Sequence, residues 1–156
     1  MRKIQGYTLV EIIVTMAILS FILLGVYGVL QTGNTVFIKD TALLDMQQQT
    51  RNAIDRIVRE VRQASSEIIS TNINGTTNDR ITFTIPTAAG IKYYLTGTDL
   101  IREYPAGTTK KLASNIGLLK FTVAGSLLQI QARADKTIYA QVISFPLTER
   151  VRLRNE

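Results

Sequence analysis

The strongest constraint on the fold is a long apolar run close to the start of the chain. Across residues 7–30 the only charged side chain is Glu11, and the next charge is Lys39. As a helix this run would be roughly 36 Å long, which exceeds the bilayer hydrocarbon core of about 30 Å. The run therefore predicts one membrane-spanning helix, followed by a more polar remainder that lies outside the membrane.

Three interpretations compete for this segment. A cleaved secretory signal has a shorter apolar core and an A-x-A-like site after it, and this sequence has neither. A plain single-span anchor fits the length. Arg2 and Lys3 precede the run, so the positive-inside rule places the N-terminus in the cytoplasm. The anchor leaves Glu11 unexplained.

Glu11 needs a partner because a carboxylate in a membrane span costs up to about 2.5–3.5 kcal/mol on insertion scales. Cleavage between Gly6 and Tyr7 would create a cationic amine about 6 Å along the helix from Glu11. One helix does not easily fold its own terminus back, so the amine of a neighbouring chain is the natural partner. This third interpretation accounts for the charge.

Residues 6–11, GYTLVE, follow a short basic leader and precede an apolar helix. In this they resemble the cleavage and methylation motif of type IV prepilins and of the pseudopilins of type II secretion systems. The resemblance implies that a prepilin peptidase cuts after Gly6 and methylates the amine of Tyr7, where phenylalanine is commoner. It implies that Glu11 pairs with a terminal amine during filament assembly.

The same resemblance implies a location and a set of partners. The chain would be a single-pass protein of the bacterial inner membrane, with its C-terminal domain outside, and would then enter a pilus or pseudopilus filament. Its partners would be other pilin or pseudopilin subunits, the peptidase and the inner-membrane assembly platform. Each glycine costs about 1 kcal/mol relative to alanine, so Gly25 and Gly28 mark the stretch where the helix loosens most readily, and the resemblance implies that the helix can melt near Gly28 in an assembled filament. A plain tolerance of membrane helices for glycine is the alternative.

The next stretch changes to a two-faced pattern, which predicts an amphipathic second half of the helix over residues 31–68. Its polar side offers three i,i+4 charge pairs, Arg51 with Asp55, Asp55 with Arg59, and Arg56 with Glu60. A solvated face is the ordinary interpretation of these charges, and a filament contact for Arg56, Arg59 or Arg62 is the functional one. The predicted apolar stripe is Leu43, Met46, Thr50, Ala53, Ile54, Ile57, Val58, Val61, Ala64 and Ile68.

Residues 69–156 predict an antiparallel β-sheet domain. RITFTI at residues 80–85 alternates as a half-buried strand, and residues 91–95 and 100–104 flank a turn as a hairpin. Three more strands follow, with turns near residues 125–126 and 135–136, and Pro146 is expected at a bulge or edge. The predicted fold is therefore α+β and pilin-like: a leader over residues 1–6, an apolar helical half over 7–30, an amphipathic half over 31–68, and five to seven strands.

Three looser matches resemble minor pilins and the J-type minor pseudopilin, which in the family belongs to a complex that starts the filament. They are AIDRIVREVRQAS at the helix end, YYLTGTDLIRE in the hairpin, and RVRLRN near the C-terminus. The resemblance implies a minor structural subunit that helps to initiate or cap assembly of a type IV pilus or a type II secretion pseudopilus.

Composition argues against catalysis. The sequence has no cysteine and no histidine, which removes thiolate chemistry and the commonest metal ligand and general base. Asp79, Asp99, Glu103 and Asp135 are scattered through turns and a hairpin, so we expect a non-enzyme without cofactor or metal. A calcium site in residues 72–79 and a glycosylation sequon at Asn74 are weaker alternatives to a solvated turn.

A membrane-anchored binding protein is the alternative function. The formal charge of +6 becomes +4 without Arg2 and Lys3, a mild excess that does not by itself indicate nucleic-acid binding. Arg150, Arg152 and Arg154 nevertheless alternate along the last strand and would share one face, as in a basic stripe that contacts phosphates. Some minor pilins of uptake systems bind DNA, so the resemblance keeps this alternative open. Simple solvation opposite Val151 and Leu153 is the structural explanation.

Overall fold

The computed structural model describes residues 7–64, 66–70, 79–124 and 126–152. They form one long N-terminal helix packed on antiparallel sheets, which is the predicted α+β class. Two compact units make up the chain, Met1–Thr41 and Ala42–Glu156. The elements in chain order are α1 Leu9–Val61, β1 Ser66–Ser70, β2 Arg80–Ile85, β3 Ala88–Thr96, β4 Asp99–Glu103, β5 Thr109–Ala113, β6 Ile116–Ala124, β7 Leu127–Ile138 and β8 Gln141–Arg152.

Helix α1 ends at Val61, before the predicted end at Ile68. The last turn tightens, with Gln63 N donating to Glu60 O at 3.1 Å and Ala64 N donating to Val61 O at 3.0 Å. The chain then enters β1, which pairs with β2. The helical prediction for residues 66–68 was wrong. These residues are Ser-Glu-Ile, which is too short and too polar a stretch to show either period, and pairing with β2 satisfies the backbone of this segment in the strand form.

Within the second unit, the amphipathic half of α1 buries or partly buries the predicted stripe from Leu43 to Val61. Ile57 and Val61 are fully buried, and Leu43 and Val58 are partly buried against the same core. A stripe with this spacing forms one helix face, so the core explains why it is apolar. The buried residues of the helix are Met46, Thr50, Ala53, Ile54, Ile57 and Val61.

A five-stranded antiparallel sheet in the order β1-β2-β3-β4-β5 covers part of this core. Strand β2 alternates as predicted, with its odd-numbered residues buried. The predicted hairpin is present as β3 and β4, joined across the pair Thr96 and Asp99. Phe83 and Tyr93 stack with their ring centroids 5.9 Å apart. Strands β1 and β5 were not predicted.

A second antiparallel sheet has the order β6-β7-β8. The turn between β7 and β8 lies at Tyr139 and Ala140 rather than at the predicted residues 135–136, because Asp135 and Lys136 continue the ladder opposite Ser144 and Ile143. Strand β8 is continuous over Gln141–Arg152 and occupies the edge of this sheet. Pro146 therefore lies on an edge strand, as predicted.

The β7–β8 turn has an unusual composition for its geometry. Its two central residues, Tyr139 and Ala140, have φ values of 49° and 61°. A two-residue hairpin loop with both φ angles positive is the type I′ turn, which strongly prefers Asn-Gly or a similar pair. For other L-residues the left-handed region costs roughly 1–2 kcal/mol per residue. This turn is consequently held by the surrounding ladder and not by its own preference.

Candidate functional site

The helix start around Glu11 is the first candidate site. Helix α1 begins at Leu9, and Thr8 caps it: the Thr8 hydroxyl oxygen accepts a hydrogen bond from Glu11 N at 3.3 Å. Thr8-x-x-Glu11 has the spacing of a capping box, and an acidic side chain in the first turn is favourable to the helix dipole. Thr8 was not singled out in the sequence, although this spacing was the signal for it.

The Glu11 carboxylate itself has no partner among the residues that the structure describes. It faces a shallow recess of about 320 Å³, lined by Tyr7, Glu11, Ile12 and Thr15. Tyr7 is 80% exposed, and Gly6 lies outside the described residues. Capping therefore uses the backbone of Glu11 and leaves its charge available for a contact outside the described chain.

The apolar half of α1 has no covering surface in the first unit. Every residue from 7 to 34 is exposed, and the most apolar window of this helix has a mean hydropathy of 2.6 with none of it buried. By length and composition the helix is able to cross a membrane. This apolar surface is therefore uncovered within the first unit.

Hydroxyl groups in this apolar segment are satisfied within the helix. Thr15 Oγ1 donates to Ile12 O at 2.9 Å, Ser20 Oγ to Met16 O at 2.8 Å, and Thr32 Oγ1 to Gly28 O at 3.0 Å. An unpaired hydroxyl is costly in a hydrocarbon environment. These back-bonds lower that cost, so the polar residues of the segment are compatible with an apolar surrounding.

Gly25 and Gly28 lie in an uninterrupted stretch of α1. A Cβ added at either position would meet nothing within 4 Å, and both line an open recess of about 540 Å³ with Thr32 and Gly33. The absence of side chains there leaves a shallow depression in the helix surface. Melting of the helix at these glycines stays a prediction.

A polar network joins the amphipathic half of α1 to the sheet within the second unit. Glu60 lies 3.1 Å from Arg56 on the helix and 3.1 Å from Arg102 on β4. Tyr93 is fully buried beside this pair, and desolvation, with the negative charge of Glu60, raises the pKa of its hydroxyl. The Arg56–Glu60 pair was predicted. The cross-element partner Arg102 had no local signal in the sequence.

The other two predicted charge pairs do not form as salt bridges in the described part of the helix. Arg59 Nε instead donates to the backbone oxygen of Asp55 at 3.3 Å, and Arg51 lies over the Phe145 ring at 5.6 Å. Arg59 and Arg62 line a shallow surface recess with Asp55 and Val58. The sequence left a filament contact at this exposed helix surface open as the alternative to a solvated face, and it stays a prediction.

The carboxylates considered for catalysis are dispersed. Lys111 lies 3.3 Å from Asp99, and Lys92 and Tyr94 donate to Glu103 at 3.1 and 3.2 Å. Within residues 7–64, 66–70, 79–124 and 126–152, no three acidic, histidine or cysteine residues gather as a metal-binding group. The turn over residues 72–79, where a calcium site and a sequon at Asn74 were weaker alternatives to a solvated turn, lies outside the described residues apart from Asp79.

Asp135 binds two neighbours at the outward surface of the second sheet. Ser144 Oγ donates to it at 2.6 Å, and Arg133 Nε donates at 2.9 Å. The hydrogen bond from Ser144 lowers the pKa of the Asp135 carboxyl, and the hydrogen bond and positive charge of Arg133 lower it further. The Asp135 carboxylate also lies against Gly117, where an added Cβ would collide with it. A side chain at position 117 would therefore have to displace the Asp135 carboxylate from Ser144 and Arg133.

The basic residues of β8 share an outward face as predicted. Arg150 and Arg152 are exposed and Val151 between them is buried, while Arg154 and Leu153 lie outside the described residues. The register places Lys120 and Arg133 on the same face. Of these four cations, only Arg133 has a salt bridge in the described part of the chain.

Comparison with protein-family models gives a match for residues 1–27 to the prokaryotic N-terminal methylation motif. Comparisons with curated proteins and with solved structures gave no match. The motif supports a type IV pilin-like family and suggests a type IV pilin or pseudopilin, a structural class of protein. It implies assembly with other pilin subunits and processing by a prepilin peptidase, and with the apolar helix it fits a membrane-anchored protein.

Proposed function

We propose that this protein is a minor pilin or pseudopilin, a structural subunit that helps to initiate or cap a type IV pilus or a type II secretion pseudopilus. The observation that carries the proposal is the methylation motif over residues 1–27, joined to a helical half in which no residue from 7 to 34 is covered. The minor role rests on the resemblance of the helix end and the β3–β4 hairpin to minor subunits.

In this proposal the chain enters the inner membrane with its N-terminus in the cytoplasm, directed by Arg2 and Lys3. A prepilin peptidase removes residues 1–6 by cutting after Gly6 and methylates the Tyr7 amine. The domain formed by the second half of α1 and the two sheets lies outside the membrane. The assembly platform then transfers the subunit from lipid to the filament.

In this scheme Glu11 recruits the subunit to the filament and sets the position of its helix relative to the neighbouring helix. An unpaired carboxylate in an apolar phase is unfavourable, and the cationic amine of a neighbouring processed chain offsets that cost at one relative position of the two helices. Glu11 is exposed and has no ion-pair partner among residues 7–64 and the other described ranges, and this supports its assignment as the assembly carboxylate. Apolar packing between helices provides the cohesion, and Gly25 and Gly28 are the proposed positions at which the helix loosens inside the filament.

The intact mass and N-terminal peptide of the full chain, expressed with and without a prepilin peptidase, test the proposal. We expect a chain that begins at Tyr7 and carries a methylated amine only when the peptidase is present. A chain that begins at Met1 in both samples would leave a plain membrane anchor and remove the basis of the filament assignment.

DNA binding is a second candidate function, favoured by the outward face that carries Lys120, Arg133, Arg150 and Arg152. Phosphate contacts of this kind depend strongly on salt. The test is retardation of duplex DNA by the full chain in detergent, with Arg150→Ala plus Arg152→Ala as the variant and Lys111→Ala on β5 as the control. Salt-sensitive retardation that only the double variant loses supports DNA binding, and retardation unchanged in the double variant contradicts it.

A further inference from the structure

The end of the second sheet forms a two-stranded arm. Strand β6 pairs with β7 only as far as the Ile116–Ala134 pair, whereas β7 and β8 continue to pair from Asp135–Ser144 to Ile138–Gln141. We call residues 135–144 the β7–β8 arm. A two-stranded ribbon is marginally stable on its own, so this arm depends on contacts at its base.

The base of the arm is held by two short hydrogen bonds and by one apolar contact. Ser144 Oγ donates to Asp135 at 2.6 Å across the two strands, and Asp135 N donates to Asn115 O at 2.7 Å. Ile143 packs against the core from the inner face of the arm. These contacts hold the base of the arm against the rest of the second unit.

The tip exposes apolar side chains. Tyr139 is 62% and Val142 is 66% exposed, whereas the other exposed large hydrophobic residues of the sheets, Leu118, Val123 and Leu127, are 36–40% exposed. Exposed tyrosine is a frequent anchor of protein interfaces because it brings a large apolar ring with a polar end. The tip therefore presents the strongest uncovered anchor of the sheet region that the structure describes.

The backbone of the tip adds an independent observation. Tyr139 and Ala140 occupy the two left-handed positions of a type I′ turn, where Asn-Gly would fit with less strain. Strained backbone of this kind is a reason to look for function. A sequence selected for the turn alone would favour asparagine and glycine, so the tyrosine at this position requires another explanation.

We propose that the β7–β8 arm is a subunit-docking element, which inserts Tyr139 and the neighbouring Val142 into an apolar recess of an adjacent pilin-like subunit. The proposal rests on the proposed function, because that function supplies the adjacent subunit. The arm carries one acidic and one basic residue, Asp135 and Lys136, and its net charge of zero argues against a polyanion. The methylation motif implies assembly with other pilin subunits, so an adjacent subunit is the partner that we assign to the tip.

Site-specific photocrosslinking of the full chain in cells that assemble the filament tests the contact. The photoreactive amino acid p-benzoylphenylalanine replaces Tyr139 in one strain and the exposed Thr122 of β6 in a matched control. We expect at least five times more adduct from position 139, joined to a chain that itself carries an N-terminal methylation motif. Adducts with lipid alone, with a protein lacking that motif, or in equal yield from both positions would overturn the proposal.

A double substitution separates docking from folding. Tyr139→Asn with Ala140→Gly should relieve the backbone strain of the turn and raise the melting temperature of the full chain in detergent by several degrees. If the tip docks on a neighbouring subunit, the amount of the variant in the filament fraction should fall at least fivefold. Higher stability with unchanged incorporation would show that the tip is only a turn and would overturn the proposal.

Glu11→Ala in the same cells distinguishes failure of the docking proposal from failure of the proposed function. If Glu11→Ala blocks incorporation and the turn variant does not, the docking proposal alone fails. If the Glu11→Ala protein assembles like the wild type, the proposed function fails and the docking proposal loses its partner. Loss of incorporation in both variants, with normal processing, supports both proposals.

Discussion

The two halves of helix α1 differ in how much of their apolar surface is exposed. In the first unit every residue from 7 to 34 is exposed, although the segment is the most apolar of the chain. In the second unit the helix buries a stripe that includes Ile54, Ile57 and Val61. Both halves carry apolar surface that water disfavours. One half is covered within its own unit, and the other is left uncovered within its own.

The comparison also separates the effects of mutations. Changes in the apolar half should alter membrane residence or assembly and leave the fold of the second unit intact. Changes in the buried stripe should unfold the second unit. A single helix thus offers two classes of variant, and each class serves as the control for the other.

Glu11→Ala should have the largest effect, on assembly alone. We expect cleavage after Gly6 to proceed normally and incorporation into the filament to be abolished, because the neighbouring amine loses its partner. The readouts are the N-terminal mass and the filament fraction. The melting temperature of the second unit should not change, and a filament containing normal amounts of the variant would contradict the pairing argument.

Ile57→Ala should have the largest effect on stability. Truncation of a fully buried isoleucine costs about 2–5 kcal/mol of unfolding free energy, and Ile57 has 0% exposure. Denaturation of the full chain in detergent, followed by near-ultraviolet circular dichroism, measures it. Leu24→Ala, at an exposed position of the apolar half, is the matched control. Equal destabilisation by both variants would break the distinction between the two halves.

Asp135→Asn should reduce the acid sensitivity of the second unit. The pKa of Asp135 is lowered in the folded state, so its contribution is present above the unfolded-state pKa of about 3.9 and is lost as the pH falls through the folded-state value. We expect the melting temperature of the variant to be lower at pH 7 and to fall less between pH 5 and pH 2. Ser144→Ala, which removes the first cause of the shift, should act in the same direction. If both variants kept the wild-type dependence of melting temperature on pH, Asp135 would not be a source of the acid sensitivity.

Asp55→Ala should have the smallest effect. Its predicted partners Arg51 and Arg59 make other contacts, and an exposed position without a salt bridge usually changes stability by no more than about 0.5 kcal/mol. The same denaturation experiment measures it. A loss above about 1 kcal/mol would show that the polar side of the helix contributes to the fold, and would extend the role of the helix beyond its buried stripe.

The sequence was most informative where periodicity and burial agree. Sequence periodicity alone predicted three features: the apolar run, the buried stripe with Ile57 at its centre, and the alternation of β2. At each of these positions the residue type follows from whether the side chain is buried or exposed. Pro146 on an edge strand followed from its missing N–H group. Thr8 was readable too, since its spacing to Glu11 is a known capping pattern.

Tertiary context decided the rest. Residues 66–68 fit either a helix or a strand, and only their pairing with β2 selects the strand. The turn after β7 was misplaced because Asp135 and Lys136 resemble turn residues, while the actual turn at Tyr139 and Ala140 has no turn signature. Arg102 could not be linked to Glu60 from sequence, because the contact joins residues far apart in the chain.

Pro146 has a further consequence for contacts between copies of the chain. It lies near the middle of β8, the edge strand of the second sheet, where a regular strand would offer a template for pairing with another molecule. A proline interrupts that template because it has no N–H group to donate. The strand can therefore close its own sheet while resisting uncontrolled growth into aggregates at high local concentration.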